Sequence, residues 1–179
     1  MDKSGTSLIG TFKPYITHPL QEFKNIFQVG QVLSHLQYIR ASEHGAYFRI
    51  KYGRNKSVEA LLLAKDVSNW CFIKNLDMIF HQQYTCPMVL KEINMDTNLV
   101  LLSIKDLTNK NKNRIDCTDY GNVYSGVVLG REHNIYSVLL DNIWIEVKVD
   151  SDAALSIGER VNVLKASSMS FVTISNVSS

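Results

Sequence analysis

The sequence reads as a mainly all-β chain of two small barrels in tandem, and three features lead there. Apolar residues recur at every second position over short segments, the period of a half-buried strand. Clusters of turn-forming residues separate those segments at short intervals. A polar, apolar-free run, Thr108-Asn109-Lys110-Asn111-Lys112-Asn113-Arg114, then divides the chain into halves of similar grammar. Each half offers an apolar strand, a turn, two more strands, an irregular stretch and a closing pair of β-branched strands. That is the pattern of an internal duplication, with units of about 80 and about 60 residues, both within small-domain size. The expected divisions are an N-terminal arm at 1–27, a first unit at 28–108, a polar basic linker at 109–119 and a second unit at 120–179.

In chain order, Pro14 and Pro19 make the arm extended, with a short helix over residues 20–27. Val29-Gly30-Gln31-Val32 opens the first strand. In Ala46-Tyr47-Phe48-Arg49-Ile50-Lys51, the residues Ala46, Phe48 and Ile50 share one face, so Tyr47, Arg49 and Lys51 share the other. Residues 65–84 carry Val67, Trp70, Cys71, Leu76, Ile79 and Phe80 at spacings that predict one or two short helices over the open end of a barrel. Trp70 is expected in the core as their anchor. Met88-Val89-Leu90-Lys91-Glu92-Ile93 and Leu99-Val100-Leu101-Leu102-Ser103-Ile104 flank Asn94-Met95-Asp96-Thr97-Asn98, a turn-rich hairpin tip. In the second unit, residues 135–140 and 143–149 flank Asp141-Asn142, which predicts a two-residue hairpin. Strand phase turns Ile143, Ile145, Val147 and Val149 inward and Trp144, Glu146 and Lys148 outward. Two five-stranded barrels, the first with a helical insert between strands three and four, follow the OB-fold plan.

Composition narrows the function. At 45% hydrophobic and 20% charged residues, the chain has the make-up of a folded protein. Cys71, Cys86 and Cys117 form no C-x-x-C pair, which argues against a disulfide framework and a cysteine zinc site. No apolar run reaches the roughly 18 residues of a membrane span, and no apolar stretch follows Met1, so a cytoplasmic protein without a membrane partner is expected. Residues 27–108 hold nine Lys/Arg against seven Asp/Glu, while residues 120–179 hold four against six. A polyanion would therefore meet the first unit and linker, where Lys110, Lys112 and Arg114 add charge. The histidines (His18, His35, His44, His81, His133) lack metal-ligand spacing, and no phosphate loop, serine elbow or H-E-x-x-H occurs. No catalytic residue, metal or cofactor is expected.

Residues 28–106 also resemble a family, the S-one RNA-binding domain, an OB-fold repeat named after a small-subunit ribosomal protein. Val29-Gly30-Gln31-Val32 is similar to its opening glycine and first strand, and Gly45-Ala46-Tyr47-Phe48-Arg49-Ile50 to its signature turn and second strand. Glu59-Ala60-Leu61-Leu62-Leu63-Ala64-Lys65-Asp66-Val67-Ser68 resembles its third strand, and Ile93-Asn94-Met95-Asp96 with Leu99-Val100-Leu101-Leu102-Ser103-Ile104-Lys105 its closing hairpin. The second unit resembles it less closely, through Tyr120-Gly121-Asn122-Val123-Tyr124-Ser125-Gly126-Val127-Val128 and Gly158-Glu159-Arg160-Val161-Asn162-Val163.

The resemblance implies single-stranded RNA lying across one barrel face, with Tyr47 as the stacking ring, His44 before the signature glycine and Asp96 in the hairpin. Two positions depart from the family, Leu63 on strand three and Leu99 on strand five; Arg49, Lys51, Arg54 and Lys56 stand as replacement cations. The function expected is non-enzymatic binding of single-stranded RNA, or single-stranded DNA, by stacking and phosphate contacts. The rival is an adaptor whose Leu63, Leu99 and Trp144 contact a protein such as a ribosomal or polymerase subunit. The sequence leaves the oligomeric state open.

Overall fold

Alternating apolar residues pair into two sheets in the computed structural model, which describes residues 18–112, 121–167 and 170–174. The first unit runs α1 (Gln21–Ile26), β1 (Val32–Leu33), β2 (Gln37–Ser42), β3 (Gly45–Tyr52), β4 (Lys56–Leu63), β5 (Met88–Asn94), β6 (Leu99–Ser103) and α2 (Ile104–Asn111). The second runs β7 (Val123–Glu132), β8 (Ile135–Leu140), β9 (Glu146–Asp150), β10 (Arg160–Ser167) and β11 (Ser170–Ile174).

The second unit's strands close into a barrel in the order β9-β11-β10-β7-β8. Within it β9 and β11 run parallel, with Val149 opposite Phe171, and the other neighbours are antiparallel. Counted from the first strand, that circuit is one-two-three-five-four and back to one, the OB topology. The first unit follows the same circuit with one difference. Its sheet has six strands, β1-β5-β6-β4-β3-β2, with β4 and β6 parallel through Leu61 and Leu101. The edges β1 and β2 are two halves of one run, parted only by Ser34-His35-Leu36. His35 lies in the left-handed region at φ 59°, which breaks the extended chain, and Leu36 turns into the core. The closed five-stranded barrel that the sequence predicts here is thus a curled sheet whose edges are joined by covalent chain in place of a hydrogen-bonded ladder.

The alternation behaves as read. Ala46, Phe48 and Ile50 on β3 are buried, Tyr47 and Arg49 are half-buried, and Lys51 is exposed. One end of the sheet is plugged by α1, whose fully buried Phe23 packs against Phe27 and Tyr52 at ring distances of 4.6 and 5.7 Å. The insert closes the other end as two single 3-10 turns, Ala64–Asp66 and Leu76–Met78, where the spacing predicts longer helices. Val67, Ile73, Leu76, Ile79 and Phe80 are buried there, but Trp70 is 43% exposed and not the core anchor expected. Its inward assignment assumed a helical period, and irregular backbone does not keep one.

Two boundaries also move. Ser103 ends β6 and caps α2 by accepting a hydrogen bond from the Asp106 N–H at 2.9 Å. Ile104 therefore starts a helix in place of ending a strand, and with Leu107 it is buried. Asn109, Lys110 and Asn111, expected in the linker, complete that helix; residues 113–120, with Arg114, lie outside the described residues. In the second unit the Leu140 N–H bonds the Ile145 carbonyl at 2.9 Å, so the hairpin loop is residues 141–144 and not Asp141-Asn142 alone. Asn142 and Trp144 take left-handed conformations, φ 71° and 49°, to make that wider turn.

One core spans both units. It runs from Phe23, Phe48, Leu62 and Phe80 of the first into Val127, Leu129 and Leu139 of the second, while the closed barrel keeps a separate interior around Tyr136, Val138 and Phe171.

Candidate nucleic-acid interface

Strand register decides which side chains meet on the outward face of the first sheet. Tyr47 on β3 stands opposite Arg40 on β2 and Leu61 on β4, and Arg49 stands opposite Gln37 and Glu59. The parallel pairing of β4 and β6 brings Leu101 beside Leu61. The face therefore presents a basic and aromatic stripe next to a leucine floor.

The ring of Tyr47 is not bare. The Arg40 guanidinium carbon lies 4.3 Å from its centroid, and Arg40 Nη2 is 3.2 Å from Glu59 Oε1. A cation over a phenol face at an exposed site contributes about 0.5–1 kcal/mol, and the carboxylate fixes the guanidinium over the ring. Sequence reasoning missed Arg40 because β2 was not read as a strand. Its signal was present: the β-prone run Tyr38-Ile39 ahead of the turn at Glu43-His44-Gly45. The phase would still have misled, since a bulge between Tyr38 and Arg40 resets it. Tyr38 packs on Phe48 at 5.8 Å while Arg40 faces out.

Arg49, Lys51 and Arg54 have no carboxylate partner among the described residues, and Lys51 and Arg54 are exposed. Arg54 sits on the turn between β3 and β4, held open by left-handed Gly53 and Asn55. Lys56 leaves the set: its ammonium binds both carboxylate oxygens of Glu22 on α1, which pushes its pKa up. The helix that plugs the sheet takes the cation that the sequence offered to phosphate.

His44 is exposed on the turn before Gly45, with its ring nitrogen 3.6 Å from Glu43. Asp96 is exposed on the turn between β5 and β6, where its N–H bonds Asn94 Oδ1 at 3.0 Å. The register puts these two at opposite ends of the sheet, roughly 20 Å apart by strand rise. The structure thus gathers Tyr47, Arg49 and Lys51 and leaves His44 and Asp96 at the margins.

Leu63 and Leu99 are half-buried on the same outward face, flanking Leu61 and Leu101 at 7% and 8% exposure. They border the stripe more than they offer an apolar patch. Trp144, expected outward on a strand, lies in the hairpin loop half-buried against the shared core, and its carbonyl accepts from Asn111 Nδ2 at 3.2 Å. Glu146, also expected outward into solvent, is buried at 8% exposure because the first unit's insert covers that side of the barrel. Lys110 donates to the Gly30 carbonyl at 3.0 Å and is tied to the sheet edge in place of trailing from a linker.

Among the described residues no three His, Cys, Asp or Glu side chains group to hold a metal. Burial pushes the thiols of Cys86 and Cys71 above their ordinary range, so both are protonated at neutral pH.

No family model matches the chain, and no curated protein does. Among solved structures it is similar to one described as "drosophila Unr CSD456", with a TM-score of 0.29 and 10% identity. The match covers 80% of this chain and 61% of that one, so the chain spans about three fifths of that structure's length. A TM-score that low carries no weight; the strand circuit identifies the fold.

Proposed function

We propose that the chain is a non-enzymatic binding module of the S-one type, which holds single-stranded nucleic acid, RNA by preference, across the outward face of β2, β3 and β4. The observation that carries this is the Arg40–Tyr47 stack with Arg49, Lys51 and Arg54 beside it, which have no carboxylate partner among the described residues. Nucleobases have π-faces whatever their identity, so a planar guanidinium on a phenol is a platform for any of them. The three cations line up along β3 and the following turn, where successive phosphates would pass. The half-buried Leu63 and Leu99 border the stripe, where the edge of a base or ribose would pass. Stacking and charge discriminate bases poorly, so low sequence preference is expected. The preference for RNA rests on the resemblance of residues 28–106 to that family.

The test is fluorescence anisotropy of a labelled single-stranded RNA of mixed sequence, titrated with the intact protein at several salt concentrations. Tyr47→Ala should weaken binding by about 5- to 150-fold, the equivalent of 1–3 kcal/mol for one stacked base. Three phosphate contacts on a single strand predict a slope near −2 in log K against log salt. Binding indifferent to both salt and Tyr47 would sink the reading.

A further inference from the structure

An OB barrel takes oligomeric ligands on the outward face of its second and third strands. In the closed barrel those strands are β8 and β9, and their outward residues pair in register: Leu139 with Glu146, Ser137 with Lys148, Ile135 with Asp150. That face is covered at Leu139, Ser137 and Glu146, which are buried, while Ile135, Lys148 and Asp150 stay exposed. Leu139 belongs to the core shared with the first unit. Glu146 accepts hydrogen bonds from the Ser68 hydroxyl, from the Asn69 N–H at 2.9 Å and from Asn69 Nδ2 at 3.2 Å, with Ser137 donating from below. Lys148 Nζ lies 4.9 Å over the ring of Trp70. On the neighbouring strand Gly130 is so close to Cys71 that a Cβ there would fall 2.7 Å from the cysteine's own. The turn entering β10 does the same: a Cβ on Gly158 would meet the Met78 carbonyl oxygen at 1.7 Å.

We infer that the Leu139, Ser137 and Glu146 half of the second barrel's ligand face is filled in cis by residues 68–78 of the first unit's insert. The insert uses the contacts a bound strand would use. An aromatic ring lies beneath a lysine, a backbone N–H and a hydroxyl meet a carboxylate, and two glycines leave room, Gly130 for the Cys71 side chain and Gly158 for the Met78 carbonyl. The buried Glu146 carboxylate has neutral donors in place of a cation, so its four hydrogen bonds must all persist for the face to stay dry. The second barrel is therefore a receptor for the first unit. This conclusion stands whether or not the first face takes nucleic acid, because docking is measured without any.

The experiment is amide hydrogen exchange on the intact protein, with emission of Trp70 and Trp144, both at this junction, as a second readout. In the unaltered chain the Asn69 amide should exchange at least tenfold more slowly than the exposed turn at residues 53–55. Gly130→Val should wedge Cys71 away, accelerate exchange at residues 69–71 at least tenfold and red-shift the emission while far-UV circular dichroism keeps its β signature. If that variant fails to fold, Glu146→Gln and Ser68→Ala, which remove charge or one donor without adding bulk, should give the same acceleration. Asn69 exchanging as fast as the exposed turn, or exchange and emission unmoved in all folded variants, overturns the inference. So does a second equivalent of a 12-nucleotide RNA that Lys148→Glu abolishes, since that would mean the face is open.

Discussion

At Tyr47 the chemistry turns on what already lies on the ring. Arg40 supplies a cation and a plane, and Glu59 restrains both. Removing the carboxylate releases the guanidinium from the ring and loosens the platform, so Glu59→Gln should weaken RNA binding several-fold, by the roughly 1 kcal/mol or less of an exposed pair. Tighter binding in the same titration would mean that the bare ring, and not the fixed stack, is what a base recognises. A second residue-scale effect is buried. Burial holds the Cys86 thiol and the Tyr84 phenol above their ordinary values of 9.0 and 10.0. The unfolded chain releases those protons first, so the native state binds more of them in alkali. Stability is then fully present below about pH 9 and falls as pH rises further. Urea midpoints measured from about pH 8 to about pH 10 should decline, and Cys86→Ala should make that decline shallower.

Elements stand or fall on a few positions. The turn into β3 needs Gly45, at φ 151°, because a Cβ there would sit 2.0 Å from the Leu62 carbonyl oxygen on the paired strand. Neither atom belongs to a flexible side chain, so Gly45→Ala must part β3 from β4. It should cost more than about 3 kcal/mol, read as a lowered urea midpoint or loss of soluble protein. The cap on α2 is milder. Ser103→Ala removes the acceptor for the Asp106 N–H and should cost about 1 kcal/mol, a fall of a few degrees in melting temperature. The pairing of strands was legible wherever side chains alternate strictly, as from Ala46 to Lys51. It was illegible where a bulge or a left-handed residue shifts phase, as at Ile39, His35 and Trp144.

For the whole molecule, the decisive feature is that two similar units carry the same face differently. The first leaves Lys51 and Glu59 exposed there and Tyr47 and Arg49 half-buried, and the second packs Leu139, Ser137 and Glu146 of the equivalent face against its neighbour. With a core continuous from Phe48 to Leu139, the described residues should unfold in one cooperative step, tryptophan emission and circular dichroism giving the same urea midpoint. Two separated transitions would mean that the hydrogen bonds to Glu146 and the packing around Leu139 contribute little. The Arg160–Asp141 pair beside Tyr84 adds a further link between the units, since Arg160 stands 5.6 Å over that ring.

Local pattern by itself determined the class of this protein. Period-two alternation assigns Tyr47, Arg49 and Lys51 to one face whatever the rest of the chain does, because successive side chains on a strand must point opposite ways. The turn between the closing strands of the first unit, at residues 94–98, followed from turn chemistry in the same way, whereas the loop at 141–144 came out wider than Asp141-Asn142. Partnership is another matter, since no spacing in the chain states that Arg40 lies on Tyr47, that Glu22 takes Lys56, or that Glu146 faces Ser68 and Asn69. Those contacts join residues far apart in sequence, and only the packing of one unit upon the other, which must bury apolar surface without orphaning a carboxylate, settles them.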